Sequence, residues 1–349
     1  MTHSTSLDSI LDRHRAFWTR QPVDRPLLRT HQYQWLEPSA SLPLKVGHRT
    51  PLEWLAEPAD LDLDGLVAEW TPRGDLLSGD FVEQVEPFGL CWLEGRAGAR
   101  VRIAAGTVWA EPPQPGSFRV EDVRSRLAAP NSWRECLRAY YSKLAAVTSG
   151  RALVASTLLR GPLDVAAALI GSSELALLLA DEPVSVSELL DAVAEGFVEN
   201  ASFVRELVPA LAGGWAAFGI WAPGSVVRLQ CDYSAMLSPA DFRRWDVPRQ
   251  RRIAREFDFS VFHLHSGCLH VLDGLLEMPE LDAVEVSLDP WPSGPHPVDT
   301  ISALARCQAA GKAVVVHGGP MSPDDYERMM ASLSPVGLAL DVGIGEEAK

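Results

Sequence analysis

The sequence is short of positive charge, of ordered cysteine and of long apolar runs. Lys and Arg number 31 against 46 Asp and Glu, for a formal net charge of −15. A nucleic-acid surface needs a basic patch, so that class of partner is not expected. The acidic balance suits an enzyme acting on a small molecule and says nothing about fold. Five cysteines at irregular spacings make neither a disulfide framework nor paired Cys-x-x-Cys knuckles, and a reducing, cytoplasmic compartment is expected. No apolar stretch reaches the roughly 18 uncharged residues that a membrane span takes. The polar start Met1-Thr-His-Ser-Thr-Ser6 lacks a signal-peptide core, so no membrane partner is expected either. There is no Gly-x-Gly-x-x-Gly after a first strand and no Walker loop, which weighs against a nucleotide-binding doubly wound sheet.

What is present is apolar material in quantity: 47% of 349 residues are hydrophobic, enough to bury a large core. The length allows two domains or one α/β barrel. Most of the 11 tryptophans lie in the N-terminal half, as core or as the lining of a cleft. Residues 7–20 have helical spacing, with Ile10, Leu11 and Phe17 on one side and Pro22 beyond the end. Residues 24–28 read as a short extended stretch. From there to Pro130 the pattern is irregular, with an antiparallel pair expected over residues 88–94 and 99–104 and a third strand over 107–110.

After Pro130 the chain becomes rhythmic. Strands are expected at residues 153–157, 215–221, 226–232, 260–265, 283–288, 313–316 and 337–341. Helices are expected at 132–149, from Gly161, at 183–211, 239–257, 271–278, 298–310 and 323–333, and residues 344–349 read as the start of another. Short β-branched runs alternating with amphipathic helices imply parallel strands covered on both faces. The expectation is a (β/α)8 TIM barrel, with residues 1–130 as an N-terminal helical and β embellishment and 131–349 as its main part, in one structural unit.

Within Ser260-Val-Phe-His-Leu-His-Ser-Gly-Cys-Leu-His270, His263 and His265 project from the same face of a strand. Cys268 follows after the Ser266-Gly267 turn. Two imidazoles and a thiol at a strand end form a candidate metal site of His263, His265 and Cys268, with Asp232 as a further ligand or as the partner of an imidazole. The plainer alternative is that such a His only bonds nearby backbone and that the Cys is a small hydrophobe. Asp232, Asp289, His317 and Asp341 also close expected strands, as residues around a barrel mouth do, although an Asp there can simply cap the next helix. Cys91, Cys136 and Cys307 lie in periodic segments and are expected to be structural.

Cys231-Asp-Tyr-Ser-Ala-Met-Leu-Ser-Pro-Ala-Asp-Phe-Arg-Arg-Trp-Asp-Val-Pro248, followed by the His263-Leu-His265 strand, resembles the uroporphyrinogen decarboxylase superfamily. Gly161-Pro-Leu-Asp164 and Asp282-Ala-Val-Glu-Val-Ser-Leu-Asp289 fit the same pattern, as do Ala16-Phe-Trp18 and Arg25-Pro26 more loosely. The resemblance covers roughly residues 130–345 and implies the decarboxylase-type barrel. Porphyrinogen decarboxylases of this superfamily carry Met-Arg-Gln-Ala-Gly-Arg near the N-terminus, where this chain has Arg25-Pro-Leu-Leu-Arg-Thr-His-Gln-Tyr-Gln-Trp35. Only Arg29 stands for an arginine of that motif. It is a candidate substrate-binding residue together with Asp289.

The superfamily's zinc methyltransferases present His-x-Cys-Gly where this chain reads His263-Leu-His265-Ser266, and a distal Cys that this chain lacks beside His317. The resemblance therefore implies a zinc-dependent, methyltransferase-like enzyme that moves a methyl group between a corrinoid, free or borne by a corrinoid protein, or a methylated small molecule, and a thiol. The alternative is a porphyrinogen-type lyase, in which Asp232 stabilises the charge on a protonated pyrrole and Tyr233 or His317 supplies the proton. A third reading is a barrel that binds a tetrapyrrole or a corrinoid protein without catalysis.

Overall fold

The computed structural model describes residues 6–32, 53–68, 77–104, 107–113, 119–148, 152–181, 183–290 and 293–345. Residues 33–35 of the arginine-motif region, Gly150 and residues 346–349 lie outside them.

Six parallel strands form the central sheet: β1 (Leu27–Gln32), β2 (Val226–Gln230), β3 (Phe259–His265), β4 (Ala283–Leu288), β5 (Ala313–Met321) and β6 (Leu338–Ile344). Their spatial order is β1-β6-β5-β4-β3-β2, so the first strand of the sheet pairs with the last, Leu27 opposite Ala339. Alternate residues of each strand explain the layers. Phe262, Leu264, Val284, Val286, Val314, Val316, Leu338 and Leu340 face the helix-side core. On the other face Leu27, Val261, Ala283, Ala313, Val315 and Ala339 pack with Phe17, Trp18, Phe81 and Phe218. Both faces are buried, as a parallel sheet requires.

A second parallel pair joins Gln84–Val85 to Leu153–Val154. One backbone bond, Asp80 N to Leu28 O at 3.1 Å, ties its neighbourhood to β1. Among the described residues the strands do not form a closed sheet. The architecture is mixed α/β with a mostly parallel central sheet.

Helix α1 (Leu7–Thr19) starts at Ser6, whose hydroxyl accepts the Ser9 N–H, and stops at Arg20 in the left-handed region. It is pinned beneath the sheet by Trp18 Nε1, which donates to Trp221 O at 2.9 Å. Helix α2 (Pro162–Ile170) has proline at its first position and Gly161 before it, and the long α3 (Pro183–Leu207) packs against it. No single helix among the described residues is long and apolar enough to cross a membrane.

Several expected elements differ. Residues 88–94 are not a strand: Cys91 turns into the left-handed region (φ 52°) and Trp92–Ala97 is helical and buried throughout. A short apolar run reads the same either way, and burial on all sides decided for helix. Arg100–Ala104 instead pairs antiparallel with Glu53–Leu55 and with Thr107–Glu111. Residues 215–221 are a hairpin, Trp215–Ala217 against Ile220–Ala222, turning at Phe218 and Gly219. Residues 239–257 are two helices, α4 (Pro239–Trp245) and α5 (Val247–Ala254), because Pro248 has no N–H to continue the ladder. Ser172–Asp181 forms a further helix that the periodicity did not single out.

Candidate active site

The register of the sheet sets functional side chains beside one another. His263 lies opposite Gln230 and Glu285, Ser287 opposite His317, and Asp341 between His317 and Arg29. Past the apolar layer of this face, the carboxyl-end halves of five adjacent strands thus carry a continuous polar belt. His263 Nδ1 bonds the Oε2 of the fully buried Glu285. His317 stands 3.8 Å by Nδ1 from Glu285 Oε1 and 3.8 Å by Nε2 from Asp341 Oδ2. Arg29 donates to both oxygens of Asp341, through Nε at 2.8 Å and through Nη2. Its guanidinium also lies 4.8 Å over the Phe81 ring.

Phe218, at the hairpin tip, closes this belt from below. Its ring stacks on His263 (centroids 6.1 Å apart, planes at 19°), tilts against His317 at 6.3 Å and carries the Arg228 guanidinium at 4.6 Å.

At the other end of the belt His265 meets His263 edge to face, with 4.8 Å between ring centroids. His265 Nδ1 donates to Asp289 at 2.6 Å, and its Nε2 is 4.0 Å from Asp232. The hydrogen bond to Asp289 holds the His265 imidazole charged to higher pH than usual, against the opposing effect of burial. Burial works against ionisation of Asp289, but bonds from His265, Gly267 N and Ser266 prevail and hold its carboxyl below the usual range. Asp232 opens a 3-10 turn (Asp232–Met236), half exposed, with Arg160 Nε 4.0 Å from its carboxylate. Arg160 is itself fixed by Glu94 at 3.0 Å and by Cys91 Sγ at 2.9 Å. Behind the turn, buried Asp164 accepts the N–H groups of Gly161 and Tyr233 at 3.0 and 2.7 Å, so it aims Asp232 at the belt. Burial, and then the charge of Asp232, push the Asp164 carboxyl well above its ordinary range.

The structure therefore brings together Asp232, His263, His265, Asp289, His317 and Arg29. Tyr233 is elsewhere: it is buried in the helix-side core and its hydroxyl donates to Ser172 O at 2.8 Å. One residue past Asp232 in the turn, its side chain is carried to the opposite face. Cys268 also leaves the group. It sits in a 3-10 turn (Ser266–Val271) against the helix-side core, and burial pushes its thiol above the ordinary range. Among the described residues no three His, Cys, Asp or Glu side chains are arranged to hold a metal ion. His263 and His265 bond separate carboxylates through Nδ1, which leaves each Nε2 open. Cys268 is not placed with them as a third ligand, and no step below runs through a metal.

Cys307 is buried in a helix, its thiol pushed up to about 12 by burial, and Cys136 donates to Pro58 O at 3.6 Å. Cys91 is buried too, but it touches Arg160 and so borders the site. Residue-by-residue reading missed Glu285, Phe218, Arg160 and Arg228. For Glu285 a signal existed: it is a charged residue in a buried apolar strand, in phase with Ser287 and Asp289.

No family model matches the chain, and no curated protein matches it. Among solved structures it is similar to a methyltransferase from Methanosarcina mazei, with a TM-score of 0.63 and 15% sequence identity. That likeness covers 97% of this chain and 94% of the other, so the two share a fold along their whole length.

Proposed function

We propose that the chain is a methyltransferase-like enzyme of the uroporphyrinogen decarboxylase type, whose parallel strands belong to a (β/α)8 arrangement. It takes a small molecule into the mouth lined by the belt. The observation that carries this reading is the row of neighbouring side chains Asp289, His265, His263, Glu285, His317, Asp341, Arg29 along the carboxyl ends of strands β1 and β3–β6. Whole-length similarity to a methyltransferase supports it at the level of fold.

The chemistry follows from the ring nitrogens. A carboxylate can only accept, so His263 donates Nδ1–H to Glu285 and keeps the lone pair of Nε2 for a proton from outside. An ordinary thiol ionises near pH 8.5, about two units above an imidazole, and proton removal by a placed base makes it a nucleophile at neutral pH. In the proposed reaction His263 takes the thiol proton, the sulfur forms a bond to the methyl carbon, and the donor leaves with the electron pair of the broken bond. The donor is a methylated corrinoid, free or on a partner protein, or a methylated small molecule. His265, kept charged by Asp289, stabilises the negative charge on the thiolate. Arg29 is held by Asp341, which counts against its serving as the carboxylate clamp of a porphyrinogen decarboxylase.

The test is the loss of methylcobalamin absorbance when the purified protein is given a panel of small thiols. Turnover is expected, and His263→Ala should lower the rate about 100-fold or more, the worth of a general base. No thiol methylation from methylcobalamin or from simple methylated amines and thioethers, or turnover of a porphyrinogen instead, would sink the reading. Elemental analysis of the same sample decides the metal: stoichiometric zinc that is lost in His263→Ala would establish a centre that the described side chains do not form.

A further inference from the structure

Glu285 is the most heavily constrained charge in the belt. It sits mid-strand among Ala283, Val284, Val286 and Leu288, all buried, and is itself fully buried. A lone carboxylate in such a place is strongly disfavoured unless its oxygens are bonded. Only one is. Oε2 takes the Nδ1–H of His263, while Oε1 is buried without a hydrogen-bond partner.

His317 Nδ1 lies 3.8 Å from that open oxygen, just beyond bonding distance. His317 is itself uncommitted. Its other nitrogen is 3.8 Å from Asp341, whose oxygens already serve Arg29, and its ring is nearly half exposed. His263 by contrast is fixed twice, by its bond to Glu285 and by stacking on Phe218. Two imidazoles from strands that flank β4 thus approach the two oxygens of one carboxylate, one seated and one a short side-chain rotation from its seat. Gly318 and Gly319 follow His317 with φ of 100° and 139°, so no neighbouring Cβ on that stretch obstructs the movement.

We infer that Glu285 is a positioning residue shared by His263 and His317: each imidazole donates Nδ1–H to one of its oxygens, and both therefore present Nε2 to the substrate. The inference deepens the reading of the site as acid–base machinery and rests on it. It would make the site a matched pair of imidazoles set by one buried anion.

The test reads the rings and not turnover. Long-range nitrogen–proton NMR spectra of the labelled full-length chain, assigned by replacing His263 and His317 one at a time, report which ring nitrogen carries a proton. In the wild type both His263 and His317 are expected to be protonated at Nδ1. Glu285→Gln offers one acceptor and one donor in place of two acceptors, so one of the two rings should lose its Nδ1 proton while circular dichroism stays native. Glu285→Asp, which keeps two acceptors, should restore the pattern for at least His263. A wild-type His263 or His317 without a proton at Nδ1 overturns the inference whatever the variants do. So does a folded Glu285→Gln protein whose two rings match the wild type. Because no substrate is needed, a failed methyl-transfer assay with the expected ring pattern would refute the proposed function and leave this inference standing.

Discussion

At His14, burial and hydrogen bonding act on one imidazole in opposite directions. Its Nδ1 accepts the Trp221 N–H at 2.8 Å, so Nε2 must donate to Asp80 O at 2.7 Å. Burial outweighs that second bond and lowers its pKa from 6.5 to about 4. The unfolded chain takes up a proton as pH falls through 6.5, while the folded chain resists until about 4. The stability His14 contributes is therefore complete above pH 6.5 and is lost as pH falls, by about 2 kcal/mol at pH 5. Asp246 runs the other way: burial raises its carboxyl to about 7, so its contribution is present below the ordinary carboxylate range and is lost as pH rises toward 7. The clean measurement is a difference between proteins. Between pH 8 and pH 5 in urea, the wild type should lose about 2 kcal/mol that His14→Gln does not lose. Parallel pH profiles for the two proteins would show that His14 is not the group responsible.

Among the elements, the junction of Gly161 with the end of β2 leaves the least room. A Cβ on Gly161 would lie 2.0 Å from Gln230 O, a backbone atom that cannot swing aside. The turn before α2 is pressed there so that Asp164 can reach the N–H of Tyr233 and hold the Asp232 turn. Gly161→Ala should cost about 2–3 kcal/mol, as overpacking of a tight site does. At Gly213 nothing lies within 4 Å of the same added atom, so Gly213→Ala meets only the strain of its φ of 80°. Melting temperatures decide: equal losses in the two variants would mean that the contact with Gln230 is not what Gly161 relieves. Element type was legible where a period could be counted. Residues 283–288 alternate within a buried run and are a strand, as read. Residues 88–94 and 215–221 are as long but show no polar–apolar alternation, and there the conformations of Cys91 and Phe218 decided.

For the molecule as a whole, the consequential pairing is β1 with β6. Residues 27–32 come from the stretch read as an embellishment, yet they form the edge of the central sheet, and Arg29 neutralises Asp341 across 312 residues of chain. A fragment of residues 131–349 would lose this strand. It would leave β6 with an open row of backbone groups and Asp341 buried without its cation, an arrangement that favours association. The expectation is that this fragment is aggregated or lacks native circular dichroism, and that the full chain unfolds in one transition by tryptophan fluorescence and dichroism alike. A monomeric fragment with cooperative unfolding would show that the N-terminal third is dispensable to the sheet.

What the sequence determined by itself is the side of each strand to which a residue points. A two-residue period places His263 with His265 and sets Phe262 and Leu264 against the helices, whatever the neighbours are. The order of strands and their register were decided only in three dimensions. Packing of two apolar faces chose β4 as the neighbour of both β3 and β5, and so put Glu285 between His263 and His317. The same long-range choice turned Tyr233 and Cys268 to the helix side, because a turn that leaves a strand no longer keeps its period. A site built from five strands has its members in local patterns and its distances in the register between strands, which no local pattern contains.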